Sequence, residues 1–262
     1  MANRRLAEQS AKLIVIVTEH YKVILAYDGT AFKGMQRQRS ARTVQGELES
    51  ALRKLGWAGQ SIRHAGRTDA GVHASGQVVA FDLDWGHSNE KLLNALNATL
   101  PEDVAARSVS VAAAQFQPRY DARARRYRYQ LFCQAQRDPL RERYAWRVWP
   151  PVKLKAMLAA AKELVGTHDF RAFGSPMTKK GPTVRHLLDA EWSQVGEDGY
   201  AFEVTANAFL YHMVRRMVGL LVRVGQGLAG SDEVAEALSG KIELVQHLAP
   251  AAGLTLVAVE YD

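Results

Sequence analysis

Residues 64–76 read HAGRTDAGVHASG and concentrate the chain's most reactive residue types. Three glycines (Gly66, Gly71 and Gly76) and small alanines surround Arg67-Thr68-Asp69. Glycine permits tight turns and lets a ligand come close to the backbone. Asp69 is the only acid between Glu49 and Asp82, so any carboxylate chemistry in this stretch falls to it. A carboxylate can attack as a nucleophile, take a proton, or stabilise a developing cation. Residue type and spacing leave a second reading open, an aspartate that bonds its own backbone in a turn. His64 and His73 flank the loop nine apart, which is not a helical metal pair, and no acid or cysteine completes a ligand set.

Other chemistries find little support. The sequence holds no Gly-x-Ser-x-Gly elbow and no P-loop ending in Gly-Lys-Ser/Thr. Gly225-Gln226-Gly227-Leu228-Ala229-Gly230 matches the dinucleotide fingerprint Gly-x-Gly-x-x-Gly. That fingerprint works only after a strand and at the opening of a βαβ unit. Here it follows residues 210–224, whose apolar spacing is helical, so a glycine-rich helix end is predicted. A nucleotide-dependent oxidoreductase is the rival function that this run would support.

Charge is concentrated in one segment. From Arg119 to Arg147 there are nine arginines and three acids, with Tyr120, Tyr127, Tyr129, Tyr144, Trp146 and Trp149 in or beside the run. This local surplus of six is almost the whole net charge of +7. A cationic field with aromatic faces suits a phosphate backbone carrying exposed bases. A solvated charged surface is the plainer alternative, and a non-catalytic RNA-binding protein is the function it would leave.

The elements that must hold these groups alternate along the chain. Tyr21 to Tyr27 reads as a strand closed by the turn residues Asp28-Gly29. Thr43 can cap a helix with Val44, Leu48, Leu52 and Leu55 on its apolar side, and Ser88 can cap a second helix through Leu96. Gln77 to Leu83 and Val104 to Val111 read as strands. In the second half, Ala124 to Phe132 is a strand with Tyr127, Tyr129 and Leu131 on one face and Arg126, Arg128 and Gln130 on the other. A helix stripe runs from Leu154 to Val165 and ends at Gly166. Leu187 to Val195 and Tyr200 to Ala206 form a hairpin. A long helix from Leu210 to Val224 carries His212, Arg215, Arg216, Gly219 and Arg223 on its other side. A short helix from Ser231 and a strand from Leu254 to Tyr261 close the sequence.

Composition bounds the class. The chain has 262 residues, 47% hydrophobic and 23% charged, which is the balance of a folded globular protein. Its single cysteine, Cys133, excludes an internal disulfide and a zinc site of paired cysteines, and fits a reducing compartment such as the cytoplasm. The early apolar run Leu13 to Val17 is far shorter than the ~20 residues that span a bilayer, so no membrane partner is expected.

HAGRTDAGVHASGQVVAF resembles the signature of the TruA-type tRNA pseudouridine synthases. YDGTAFKGMQRQ with RTVQGELESAL is similar to that family's opening strand, turn and helix, and ARRYRYQLF to its tyrosine-bearing strand. HDFRAF, ANAFLYHMVRRMVGLL and APAAGLTLVAVEY resemble its C-terminal half. These blocks run in order from about Tyr21 to Tyr261. Met35 stands where the family usually has Trp, and the first twenty residues have no counterpart.

The resemblance implies an α/β (α+β) fold of two similar halves. Each is an antiparallel sheet with helices on one face, and they meet at a central basic cleft. The expected division is an extension over 1–20, a half over 21–115 with the Asp69 loop, and a half over 116–262. The implied activity is isomerisation of uridine to pseudouridine at positions 38, 39 and 40 of the tRNA anticodon arm. It needs no cofactor and no metal, and the family usually works as a homodimer. By motif match Asp69 is the catalytic aspartate, Arg67 helps displace the target base, Tyr127 packs on uracil, and Arg215 is the basic partner of the aspartate. Arg123, Arg126 and Arg128 are expected to contact RNA, the last two from the face opposite Tyr127.

Overall fold

The structure is a computed structural model that describes residues 18–178, 181–244 and 248–262. Its strands are β1 (Thr18–Tyr27), β2 (Arg63–His64), β3 (His73–Asp84), β4 (Val104–Val111), β5 (Ala124–Cys133), β6 (Trp146–Val148), β7 (Gly166–Asp169), β8 (Val184–Val195), β9 (Gly199–Ala206) and β10 (Leu254–Glu260). Its helices are α1 (Val44–Lys54), α2 (Asn89–Thr99), α3 (Leu154–Lys162), α4 (Met213–Gln226) and α5 (Asp232–Leu238).

The two halves share one sheet, in the order β4-β1-β3-β10-β5-β9-β8-β7, with β2 beside β3 and β6 beside β5. Along that order the pairs within each half are antiparallel, as the expected α+β fold requires. The seam is different. The C-terminal strand β10 lies parallel to β3 through Thr255–His73 and Leu256–Ala74, and antiparallel to β5 on its other side. The last strand thus sutures the first half to the second.

Register carries one row of side chains across that seam. Val104, Tyr27, Ala74, Leu256, Tyr127, Val204 and Ala190 are successive partners on adjacent strands. Cross-strand partners share a face, so all seven point to the same side. Every one of them is buried. Burying a large apolar side chain contributes roughly 1.5–3 kcal/mol, so this row fixes Tyr27 and Tyr127 on a common wall.

The expected caps are present. Thr43 accepts from the Gly46 N–H at 3.3 Å, and Ser88 accepts from the Lys91 N–H at 3.3 Å. The buried stripes of α1 (Val44, Leu48, Leu52) and α2 (Leu92, Leu96) pack as their spacing predicts.

Several boundaries move, four of them for reasons the contacts show. The third strand opens at His73 rather than Gln77, because His73 and Ala74 are held by β10, and Gly76 lies where an added Cβ would meet Val257 O at 2.1 Å. The Leu154 helix stops at Lys162, since the Leu164 and Val165 N–H groups bond three residues back, to Ala161 and Lys162, and tighten the chain into a turn. The long helix opens at Met213 rather than Leu210, because Tyr211 is drawn into a backbone bridge with Ser175. Most of the expected 1–20 extension lies outside the described residues, and Thr18–His20 already belong to β1.

Candidate active site

The Asp69 loop is short, spanning residues 65–72 between β2 and β3, and backbone bonds fix it on several sides. The Thr68 carbonyl accepts from Met35 N–H at 3.1 Å, Phe32 O accepts from Gly71 N–H at 3.2 Å, and Asp69 O accepts from Val72 N–H at 3.2 Å. Gly34 allows this approach: its φ is +95°, and a Cβ there would meet Thr68 O at 2.6 Å. Met35 is fully buried beside it. Beneath the loop, Tyr27 OH and Thr68 Oγ1 lie 2.8 Å apart, and the buried Gln77 donates to Gly66 O at 2.9 Å. Burial pushes the Tyr27 hydroxyl up to about 12, against hydrogen bonds with Thr68 and Gln77. Tyr27 is therefore a neutral prop for the residue that precedes Asp69.

The other half supplies the charge. Arg215, on the first turn of α4, donates from Nη1 to Asp69 Oδ2 at 3.1 Å. Its Nε donates to Ala249 O at 2.8 Å, and its own carbonyl accepts from Ala249 N–H at 3.2 Å. The side chains of both Arg215 and Asp69 are mostly buried, at 12% and 19% exposure, so the pair is poorly screened by solvent.

His212 shares the same oxygen, with Nε2 3.5 Å from Asp69 Oδ2. Burial lowers its pKa most, the Asp69 charge opposes this, and Arg215 and Arg216 lower it further, so the imidazole is neutral at neutral pH. Asp69 Oδ1 has no hydrogen-bond partner among the described residues. One carboxylate oxygen is thus anchored by protein groups and the other is not.

Tyr127 stands on the same side of the sheet, with Phe209 packed edge-on against its ring at 5.0 Å. Burial pushes its hydroxyl well above the usual tyrosine range, the nearby Tyr27 and Asp69 push the same way, and Arg125 opposes. Asp69, Arg215 and Tyr127 are thus brought together. Arg67 lies two residues before Asp69 and is exposed. The remaining expected arginines are elsewhere. Arg128 is ion-paired with Glu203 on the opposite face, Arg126 is half-buried on that face, and Arg123 pairs with Asp262 at the chain's end.

Two residues that border the site are not legible in the sequence. Apolar spacing places His212 on the polar side of a helix, but it precedes the helix at a left-handed φ of +67°. Arg125 is the arginine of β5 that shares a face with Tyr127, two residues away. Its guanidinium donates to four carbonyls: Ala122 at 3.1 Å, Asn207 at 2.8 Å, Ala65 at 3.3 Å and Arg119 at 2.5 Å. It ties the start of the Asp69 loop to the segment that carries His212. The alternation of strand positions identified that face, but a carbonyl-binding role leaves no mark in sequence.

The halves are also pinned at Asp28, which accepts from Arg143 Nε and Tyr144 OH, each at 2.9 Å. Burial raises the Asp28 carboxyl, but hydrogen bonds from Thr30, Arg143 and Tyr144 outweigh it and hold the group below the usual range.

The glycine run after α4 is a helix end. Gly227 has φ +73°, and its N–H bonds Val224 O at 3.0 Å while the Leu228 N–H bonds Arg223 O at 2.8 Å, the pairing of a Schellman stop. Among the described residues no three His, Cys, Asp or Glu side chains gather as a metal site requires. No helix among them is long and apolar enough to cross a membrane.

A family model described as tRNA pseudouridine synthase matches residues 23–121 and 160–262. The tRNA pseudouridine synthase A of Geobacillus kaustophilus is 43% identical over 253 residues, covering 94% of this chain and 96% of that protein. That of Streptococcus equi subsp. equi is 40% identical over 245 residues, covering 92% and 98%. That of Chloroflexus aurantiacus is 43% identical over 246 residues, covering 91% and 87%.

Proposed function

This chain belongs to the tRNA pseudouridine synthase family, and on that premise we propose that it isomerises uridine to pseudouridine at positions 38, 39 and 40 of the tRNA anticodon arm with Asp69 as the catalytic carboxylate. The observation that carries the reading is the division of labour on that side chain: Oδ2 is held by Arg215 at 3.1 Å, and Oδ1 is free of protein partners among the described residues.

The chemistry asks for little else. The N1–C1′ bond breaks, the uracil turns, and C5 bonds to C1′; C5 then gives up its proton and N1 gains one. No electron enters or leaves, and no phosphate is transferred. As N1–C1′ breaks, positive charge develops at C1′. An anionic oxygen there either stabilises that charge or bonds to the carbon, as glycosidase carboxylates do. Arg215 fixes the orientation of Asp69 through its bond to Oδ2. His212, its pKa lowered by burial, lies 3.5 Å from the same oxygen without adding charge at neutral pH.

A uridine in a stem must leave its stack before C1′ can be reached, at a cost of a few kcal/mol. Tyr127 supplies a buried aromatic wall for the extruded ring. Exposed Arg67, beside Asp69, would occupy the vacated stack or hold the flanking phosphate. Arg123 and Arg126 would then serve the tRNA body at a distance from the reacting base, while Arg128 stays engaged by Glu203. A tRNA is large beside one subunit, which favours a homodimer, and the tRNA pool favours the cytoplasm as the working compartment.

The test is incubation with unmodified tRNA labelled at uridine C5. Release of the C5 hydrogen, with chemical mapping of pseudouridine at the three anticodon-arm positions, is the expected result. Asp69→Asn should abolish release while binding tRNA within a few-fold of wild type. Folded wild-type protein that binds tRNA and leaves all three uridines intact would overturn the reading in favour of a non-catalytic RNA-binding role.

A further inference from the structure

Residues 207–212 link β9 to α4, and the chain there is held in a costly shape. Tyr211 and Ser175 bridge through both backbone bonds, at 3.0 and 3.3 Å. Gly174 makes the approach possible, because a Cβ there would meet Tyr211 O at 2.6 Å and Leu210 Cβ at 2.7 Å. His212 then takes φ +67° and, although it heads the helix, its side chain makes no capping bond. A left-handed conformation is unfavourable for a residue with a Cβ, and no capping bond offsets it here.

This shape produces a ring stack. The Tyr211 and His212 rings lie with centroids 3.7 Å apart and 25° between planes. The imidazole edge reaches Asp69 Oδ2 at 3.5 Å. The imidazole thus meets the Asp69 carboxylate along its edge and the Tyr211 ring across its face. Tyr211 is 53% exposed, an uncovered aromatic beside a site whose other tyrosine, Tyr127, is buried.

We propose that Tyr211 is a stacking subsite for the nucleobase adjoining the extruded uridine. The inference rests on the pseudouridine synthase reading and adds a second base to the site. Extruding one nucleotide leaves its neighbour with an unstacked face, and an open aromatic ring beside the reacting centre replaces that contact. Stacking on an aromatic is tolerant of base identity because every base presents a π-face. That tolerance suits an enzyme acting at several adjacent positions, where the neighbouring base changes.

The experiment uses tRNAs carrying 2-aminopurine on either side of the target uridine, with wild type, Tyr211→Phe, Tyr211→Trp and Tyr211→Ala. Wild type, Phe and Trp should quench the probe on binding, and Ala should not. Losing one base–aromatic stack predicts about tenfold weaker tRNA binding and a similar rise in KM for Tyr211→Ala. Its kcat should stay within about threefold, and the dependence of affinity on salt should keep its slope because no phosphate contact is lost. Equal quenching by wild type and Tyr211→Ala would overturn the proposal. So would a loss confined to kcat, which would make Tyr211 a support for His212. Quenching is read on bound tRNA without turnover, so a wild type that binds but makes no pseudouridine would sink the catalytic reading and leave the subsite to be judged separately.

Discussion

His212 and Asp69 meet at a single oxygen: imidazole Nε2 lies 3.5 Å from Oδ2, the same atom that receives Arg215 at 3.1 Å. The two neighbours differ in charge. Arg215 is cationic, whereas burial lowers the His212 pKa and Arg215 and Arg216 lower it further against the pull of Asp69. Arg215→Gln should cut the single-turnover rate of C5-hydrogen release by at least about 100-fold, the scale of losing one preorganised electrostatic contact. His212→Gln keeps a donor near Oδ2 and should lose less than about tenfold. The ratio of wild type to His212→Gln should stay flat from about pH 7 to 9, because a histidine with a lowered pKa carries no charge to lose there. A ratio that moves in that window would show His212 titrating where its surroundings forbid it.

Arg125 should be a stability and positioning residue rather than a phosphate contact. Burial lowers its pKa, and it holds carbonyls of Ala65, Arg119, Ala122 and Asn207. Hydrogen bonds to charged groups are worth about 1.5–3 kcal/mol each when broken singly, and a network is not additive. Arg125→Met should destabilise the fold by about 3 kcal/mol and Arg125→Lys by about 2, since an ammonium cannot span four acceptors. Urea unfolding reads the first effect. A fall in kcat for Arg125→Lys at temperatures where it stays folded reads the second.

The sequence was most informative where one local rule decided the outcome. Caps at Thr43 and Ser88, the faces of β5 and the tight bend around Asp69 each follow from a few adjacent residues. Non-local contacts decided the rest. The start of β3 at His73 depends on β10, almost two hundred residues later. The start of α4 at Met213 depends on Ser175 and Gly174, which pull Leu210 and Tyr211 out of a pattern that reads as helix. The same pull explains why His212 looked like a helix-face residue and proved to be a neighbour of Asp69. Arg215 was visible as a polar-face residue, but its meeting with Asp69 joins two halves that no spacing rule connects.

Arg67 and Arg128 should separate in binding. Arg67 is exposed beside Asp69, while Arg128 is engaged by Glu203 across the sheet with both side chains partly solvated. Each phosphate contact adds about one unit to the slope of log affinity against log salt. Arg67→Gln should flatten that slope by about one. Arg128→Gln should leave the slope unchanged and alter stability by less than about 1 kcal/mol, as exposed ion pairs do. Equal slopes for Arg67→Gln and wild type would remove Arg67 from the RNA surface.

His64 makes a pH prediction that belongs to folding. It sits at the head of the Asp69 loop, and burial, helped by the Arg67 charge, lowers its pKa to about 4. Its Nδ1 is buried without a hydrogen-bond partner among the described residues. In the unfolded chain the same group titrates near its ordinary value of about 6.5. Between these two values the unfolded chain binds the proton more tightly than the folded one does. Stability is therefore highest above about pH 6.5 and falls as pH drops toward 4. At pH 5 the contribution is a loss of about 2 kcal/mol. His64→Gln has no proton to bind in either state, so its stability curve should be flatter than wild type by about that amount between pH 7.5 and 5. Chemical denaturation of both proteins at the two pH values measures the difference, and parallel curves would mean that the folded His64 accepts its proton as readily as the open chain does.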